Sequence, residues 1–141
     1  MQVLIVDDSA VMRTMIARTL RLCGIPIESV RTASNGVDGL RALAEAPADL
    51  VLLDVNMPVM DGGRMLHAMR ASPATRHLPV VIVSTEGSRP RISELRALGA
   101  GFVHKPFTPE MLRDAIFRTT GRIDELAAAG DRALPGDNLD F

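Results

Sequence analysis

Four short runs of apolar or β-branched residues, Val3 to Val6, Leu50 to Leu53, Val80 to Val83 and Gly101 to Val103, constrain the fold of this chain more than any other feature. An unbroken run of that length suits a strand buried on both faces of a parallel sheet, whereas a half-exposed strand alternates. A fifth run, Ile27 to Ala33, mixes Glu28, Ser29 and Arg31 with apolar residues and reads as an edge strand. Helical spacing fills the intervals. Val11, Met12, Met15, Ile16, Thr19, Leu20 and Cys23 keep to one face, with Ser9 as N-cap and Gly24 as stop. Val37, Leu40, Leu43 and Ala44 mark a second helix, entered at Ser34 or Asn35. Met65, Leu66 and Met69 mark a third, opened by Asp61, and Ile92, Leu95 and Leu98 a fourth, ending at Gly99. A fifth starts with Thr108 as cap, Pro109 in the first position and Glu110 in the first turn. Strand and helix thus alternate five times, which predicts an α/β sandwich on a parallel sheet with right-handed crossovers.

The rest of the composition narrows the function classes. At 141 residues the chain has the size of one domain. Its 16 Lys and Arg against 17 Asp and Glu are scattered, so no basic field points to nucleic acid or to an anionic membrane. Cys23 is the only cysteine, which excludes a disulfide framework or a thiolate metal cluster within one chain. The chain enters Gln2 to Val6 directly after Met1, with neither a basic leader nor an 18-residue apolar span, so the expectation is a cytoplasmic protein without membrane insertion.

In a doubly wound sheet the functional crevice lies beyond the carboxyl ends of the strands. Here those ends carry Asp7 and Asp8, Asp54, Ser84 and Thr85, and His104 and Lys105. Singly, each reads as a cap or a turn former. Together they bring three carboxylates, a hydroxyl and an ammonium into one crevice, where like charges repel unless a cation sits among them. Hard oxygen ligands on a wet, shallow site favour Mg²⁺. That set suits phosphoryl transfer onto a carboxylate, which needs no general base, with Asp54 as the acceptor.

The stretches VLIVDDS, LLDVNMPVMDG, PVVIVS and GAGFVHKPF, in that order and spacing over residues 1 to about 121, resemble the receiver domain of two-component response regulators. The resemblance implies a flavodoxin-like five-stranded parallel sheet of order 2-1-3-4-5 with five helices. It also implies Asp54 as phosphoacceptor, Asp8 and Asp54 as direct Mg²⁺ ligands, Asp7 through water, and the Asn56 backbone carbonyl as a further ligand. Lys105 would contact the phosphoryl group, the Lys105–Pro106 bond would be cis, Ser84 would be the switch hydroxyl, and Phe102 the aromatic that turns with it. Thr85 departs from the Ala or Gly usual beside the site, whereas Asn56 and Glu86, which flank it, match chemotaxis receivers of the CheY type. These three residues are the expected modulators of rate.

By the same resemblance the chain is expected to take phosphate from a sensor histidine kinase and to bind an effector through the face of the fourth helix, fifth strand and fifth helix. A phosphatase is a further implied partner, nucleic acid is not, and the state expected is a monomer or weak dimer. Such a receiver catalyses its own phosphorylation and dephosphorylation without being a metabolic enzyme. The alternative is a phosphorelay intermediate that passes phosphate on to a histidine phosphotransfer protein. His67, His77 and His104 are too dispersed to share one metal, the eight Met read as core filler, and Arg89, Arg91 and Arg96 as a solvated helix face. Residues 122–141 hold five acids against two Arg. Ile123, Leu126 and Ala127 continue the apolar spacing of the fifth helix, which predicts an extension through Gly121 to about Ala129 and an acidic tail.

Overall fold

The apolar runs become strands because each is shielded from both sides. In the computed structural model, which describes residues 1–121, the elements are β1 (Gln2–Val6), α1 (Ala10–Leu22), β2 (Ser29–Ala33), α2 (Gly36–Glu45), β3 (Leu50–Leu53), α3 (Gly62–Ala71), β4 (Val80–Ser84), α4 (Arg89–Ala97), β5 (Gly101–His104) and α5 (Pro109–Thr120). All pairings are parallel and the strand order is β2-β1-β3-β4-β5. Alternate residues of each strand feed opposite layers. Val3 and Ile5 join Ile16 and Leu20 of α1 and Leu112 and Ile116 of α5. Leu4 and Val6 join Met65, Leu66 and Met69 of α3 and Leu95 of α4. Full burial of such a side chain is worth about 1.5–3 kcal/mol, so the two layers hold the sheet rigid beneath its carboxyl edge.

Five side chains start the five helices. Ser9, Asn35, Asp61, Ser88 and Thr108 each accept from the backbone N–H three residues on, at about 1 kcal/mol apiece. Of the two candidates for α2, Asn35 is the cap; Ser88 carries no signal beyond its residue type.

Four expectations change. The Gly101 to Val103 run lies at the second edge of the sheet, so β5 has Phe102 half-buried and His104 exposed rather than a strand covered on both faces. On α1, Val11 is 74% and Met15 50% exposed, because the helix buries a stripe narrower than its apolar face. Met15 and Met111 are therefore not core filler. On α2 the buried positions are Gly36 and Gly39, while Ala44 is exposed and Val37 half-buried. A Cβ on Gly39 would run into the Met65 side chain and Val6, so this helix packs by close approach. Finally, α5 stops at Thr120: Gly121 takes a left-handed conformation, φ 74°, and its N–H bonds the Phe117 carbonyl, so the helix does not run through Gly121. The extension and acidic tail expected over residues 122–141 lie outside the described residues.

Candidate functional site

Strand register builds the site. Val6 pairs with Ala33 and Leu53, and the ladder runs one step further: the Asp7 N–H donates to the Ala33 carbonyl at 3.1 Å and the Asp54 N–H to the Val6 carbonyl at 2.9 Å. Asp7 and Asp54 consequently stand side by side at the carboxyl edge, with Asp8 next to them. Carboxylate oxygens of Asp7, Asp8 and Asp54 all lie within 4.8 Å of one another, a group that can hold a metal ion. On the other side Ser84 pairs with His104, and the Lys105 N–H donates to the Ser84 carbonyl at 2.9 Å. Lys105 then reaches back across the sheet. Its Nζ donates to Asp7 Oδ2 at 2.9 Å and lies 3.7 Å from Asp54 Oδ1.

Three acids and one ammonium leave an excess of negative charge. Asp7 and Asp54 are buried and Asp8 is exposed, so the cluster opens to solvent on the Asp8 side. Burial pushes the Asp54 carboxyl above its ordinary value. Lys105 opposes the shift, Asp7 adds to it, and the Ser84 hydroxyl and Val55 N–H oppose it more weakly. Clustered hard oxygens with a deficit of positive charge are what a small divalent cation requires, so these residues fit the Mg²⁺ that the resemblance implies.

The remaining site residues surround this centre. Asn56 is exposed on the loop after β3, and Thr85 is exposed directly after β4. Ser84 is fully buried, and its Oγ accepts from the Glu86 N–H at 3.1 Å, while Glu86 itself accepts from the Ser88 N–H. Phe102 pairs with Ile82, two rungs below the Ser84–His104 pair. Its ring lies 5.9 Å from the His104 ring and 5.9 Å from the Arg96 guanidinium carbon. The Lys105–Pro106 peptide bond is cis. Arg91 is not simply solvated, since it lies 3.5 Å from Asp61 and ties α4 to the start of α3.

Several supports escape a reading of residue types. The Ser9 N–H donates to Asp7 Oδ1 at 2.9 Å and Arg13 to the Asp7 carbonyl at 2.7 Å, which fixes the acid facing Lys105. The Val55 N–H donates to Asp54 Oδ1 at 2.9 Å. Gly62 lets α3 start against the Asp54 backbone, where any Cβ would collide with the Asp54 carbonyl; its signal was the Asp61-Gly62 pair closing the loop. Within that loop the Met60 N–H bonds the Pro58 carbonyl across Val59, a three-residue turn that holds Val59 at φ 69°.

A parallel sheet ending in this acid–lysine cluster defines a class of protein. Residues 3–117 match the model of the response regulator receiver domain, and the chain belongs to that family. It is similar to the chemotaxis protein CheY of Pseudomonas aeruginosa, 37% identical over 125 residues that make up 88% of this chain and 99% of the relative. It is also similar to chemotaxis protein CheY1 of Helicobacter pylori, 34% identical over 128 residues, 88% of this chain and 100% of the relative. Among solved structures, Vibrio cholerae CheY4 matches with a TM-score of 0.73 and 37% identity, covering 83% of this chain and 96% of that one. Borrelia burgdorferi CheY, solved in a complex with CheX, BeF3 and Mg²⁺, matches with a TM-score of 0.73 at 25% identity over 82% of this chain and 86% of that one. The CheY relatives point to chemotaxis. No described helix is long and apolar enough to cross a membrane.

Proposed function

We propose that Asp54 accepts a phosphoryl group from a sensor histidine kinase in a Mg²⁺-dependent reaction, and that the phosphorylated chain changes its affinity for an effector at the α4, β5 and α5 face. One observation carries the reading: strand register sets Asp54 flush with Asp7 and Asp8 while Lys105 reaches both buried carboxylates.

In the transfer, an Asp54 carboxylate oxygen attacks phosphorus. A P–O bond forms, the P–N bond to the donor imidazole breaks, and the imidazole leaves with the electron pair and takes up a proton. Mg²⁺, held by Asp7, Asp8, Asp54 and the Asn56 carbonyl, would supply positive charge against the phosphoryl oxygens. Lys105 supplies the cation that this chain itself contributes; once Asp54 is esterified, its ammonium has phosphoryl oxygens to face in place of the carboxylate. Ser84, buried below the crevice, offers a hydroxyl to those oxygens, and a shift of its Oγ would break its bond to the Glu86 N–H and so move the start of the β4–α4 loop. Asn56, on the loop after β3, and Thr85 and Glu86, directly after β4, would set how long the acyl phosphate survives attack by water. The Borrelia CheY complex supports the cation and the acceptor chemistry, because BeF3 has the shape and charge of a phosphoryl group.

The test is labelling with acetyl phosphate. Incorporation is expected with Mg²⁺, and neither in EDTA nor in Asp54→Asn; equal incorporation under any of these conditions would contradict the proposal.

A further inference from the structure

Two ion pairs outside the acid–lysine cluster join α3 to α4, and one of them starts at the loop after Asp54. Backbone hydrogen bonds lead to it from the carboxylate. The Val55 N–H donates to Asp54 Oδ1 at 2.9 Å, and the Gly62 N–H donates to the Val55 carbonyl at 2.8 Å, which sets the first residue of α3 against Asp54. Asp61 stands between that bond and α4. Its Oδ1 caps α3 by accepting from the Arg64 N–H at 2.9 Å, and its Oδ2 lies 3.5 Å from Arg91 Nη2.

Arg91 is seated in the start of α3. A Cβ on Gly63 would lie 3.1 Å from Arg91 Nη2, so the glycine leaves the space that the guanidinium fills. That place is at the positive end of the α3 peptide dipoles, which disfavours a cation, and the Asp61 carboxylate makes it tenable. Little else holds the first turn of α4. The one buried residue of the helix is Leu95, its far end is tied where Arg70 Nε donates to the Leu98 carbonyl at 2.7 Å, and Ser88, Arg89 and Pro90 are exposed. The second pair, His67 with Glu94 at 3.2 Å, joins the two helices in their second turns, beyond the loop.

We propose that Arg91 is a positioning residue for α4: through Asp61 and the β3–α3 loop it carries a change at Asp54 to the first turn of that helix, by a route separate from Ser84. The coupling stands on these contacts; its use at the effector face rests in addition on the function proposed for Asp54.

The test maps the backbone amide shifts that Asp54→Asn causes in the full chain, without metal or phosphodonor, in the wild-type background and in Asp61→Asn, Arg91→Gln and His67→Gln backgrounds. Asn caps a helix as well as Asp does, so Asp61→Asn loses the charge and keeps the cap. In the wild-type background shifts are expected at Ser84, Ile92 and Ser93. Those at Ile92 and Ser93 are expected to fall severalfold with Asp61→Asn or Arg91→Gln and to persist with His67→Gln, while the shift at Ser84 persists throughout. Undiminished shifts at Ile92 and Ser93 in Asp61→Asn and Arg91→Gln, or none there in the wild-type background, would overturn the proposal. An equal loss with His67→Gln, or at Ser84 itself, would also overturn it, because a general loosening of α3 against α4 would then account for the effect. With no donor present, this map fails or succeeds separately from the labelling of Asp54.

Discussion

Asp54 is held where its own charge is costly. Its carboxyl is raised chiefly by burial, so the native state keeps its proton to higher pH than the unfolded chain. In the metal-free protein stability therefore falls as pH rises from about 3.9 through the raised native value, and stays lower above it. Asp54→Asn removes that cost. In EDTA its melting temperature is predicted to exceed the wild type at pH 7, with the gain shrinking below about pH 4; an unchanged or lower value at pH 7 would show that Lys105 outweighs burial. Val59 presents a second local cost, since a β-branched residue at φ 69° is strained. Val59→Asn, which tolerates that conformation, is predicted to stabilise the chain by about 1 kcal/mol in denaturant unfolding. Neither cost was legible from residue type, because one arises from what covers Asp54 and the other from a turn closed by backbone alone.

Elements were more legible than the contacts between them. The runs before Asp7, Asp54 and Ser84 read as strands because burial on both faces leaves no polar position, and four of the five caps were visible because a capping oxygen must sit at the first non-helical residue. Periodicity could not say how wide a stripe each helix buries. Val11 and Met15 share the apolar face of α1 with Ile16 and Leu20, yet only the latter two reach the sheet. Helix α4 shows the opposite economy, with Leu95 its single buried residue. Leu95→Ala is predicted to cost about 2–5 kcal/mol, whereas Val11→Ala should stay within about 0.5 kcal/mol of wild type. Comparable losses from both, measured by chemical denaturation, would contradict this assignment of the core. Gly36 and Gly39 were invisible for a related reason: close approach between elements leaves no mark on the spacing of apolar residues.

At the scale of the molecule, the site needs only the sheet and the loops at its carboxyl edge. Asp7, Asp54, Ser84 and Lys105 come from four strands that are in register by residue 105, and α5 completes the layer beneath them by Thr120. The candidate site was legible for that reason: parallel order converts polar residues at strand ends into neighbours, whatever the loops between them do. Ending the chain after Gly121 is accordingly predicted to leave Mg²⁺-dependent phosphorylation intact and to alter only self-association or partner affinity. Loss of labelling in a truncated chain that still folds would place the tail among the supports of the site. The central claim concerns one carboxyl group, and borohydride reduction addresses it directly. After exposure to acetyl phosphate and Mg²⁺, reduction of an aspartyl phosphate yields homoserine, and peptide mapping is predicted to find it at position 54 alone. Homoserine at position 7 or 8, or none at any position in a folded, Mg²⁺-loaded protein, would contradict the account.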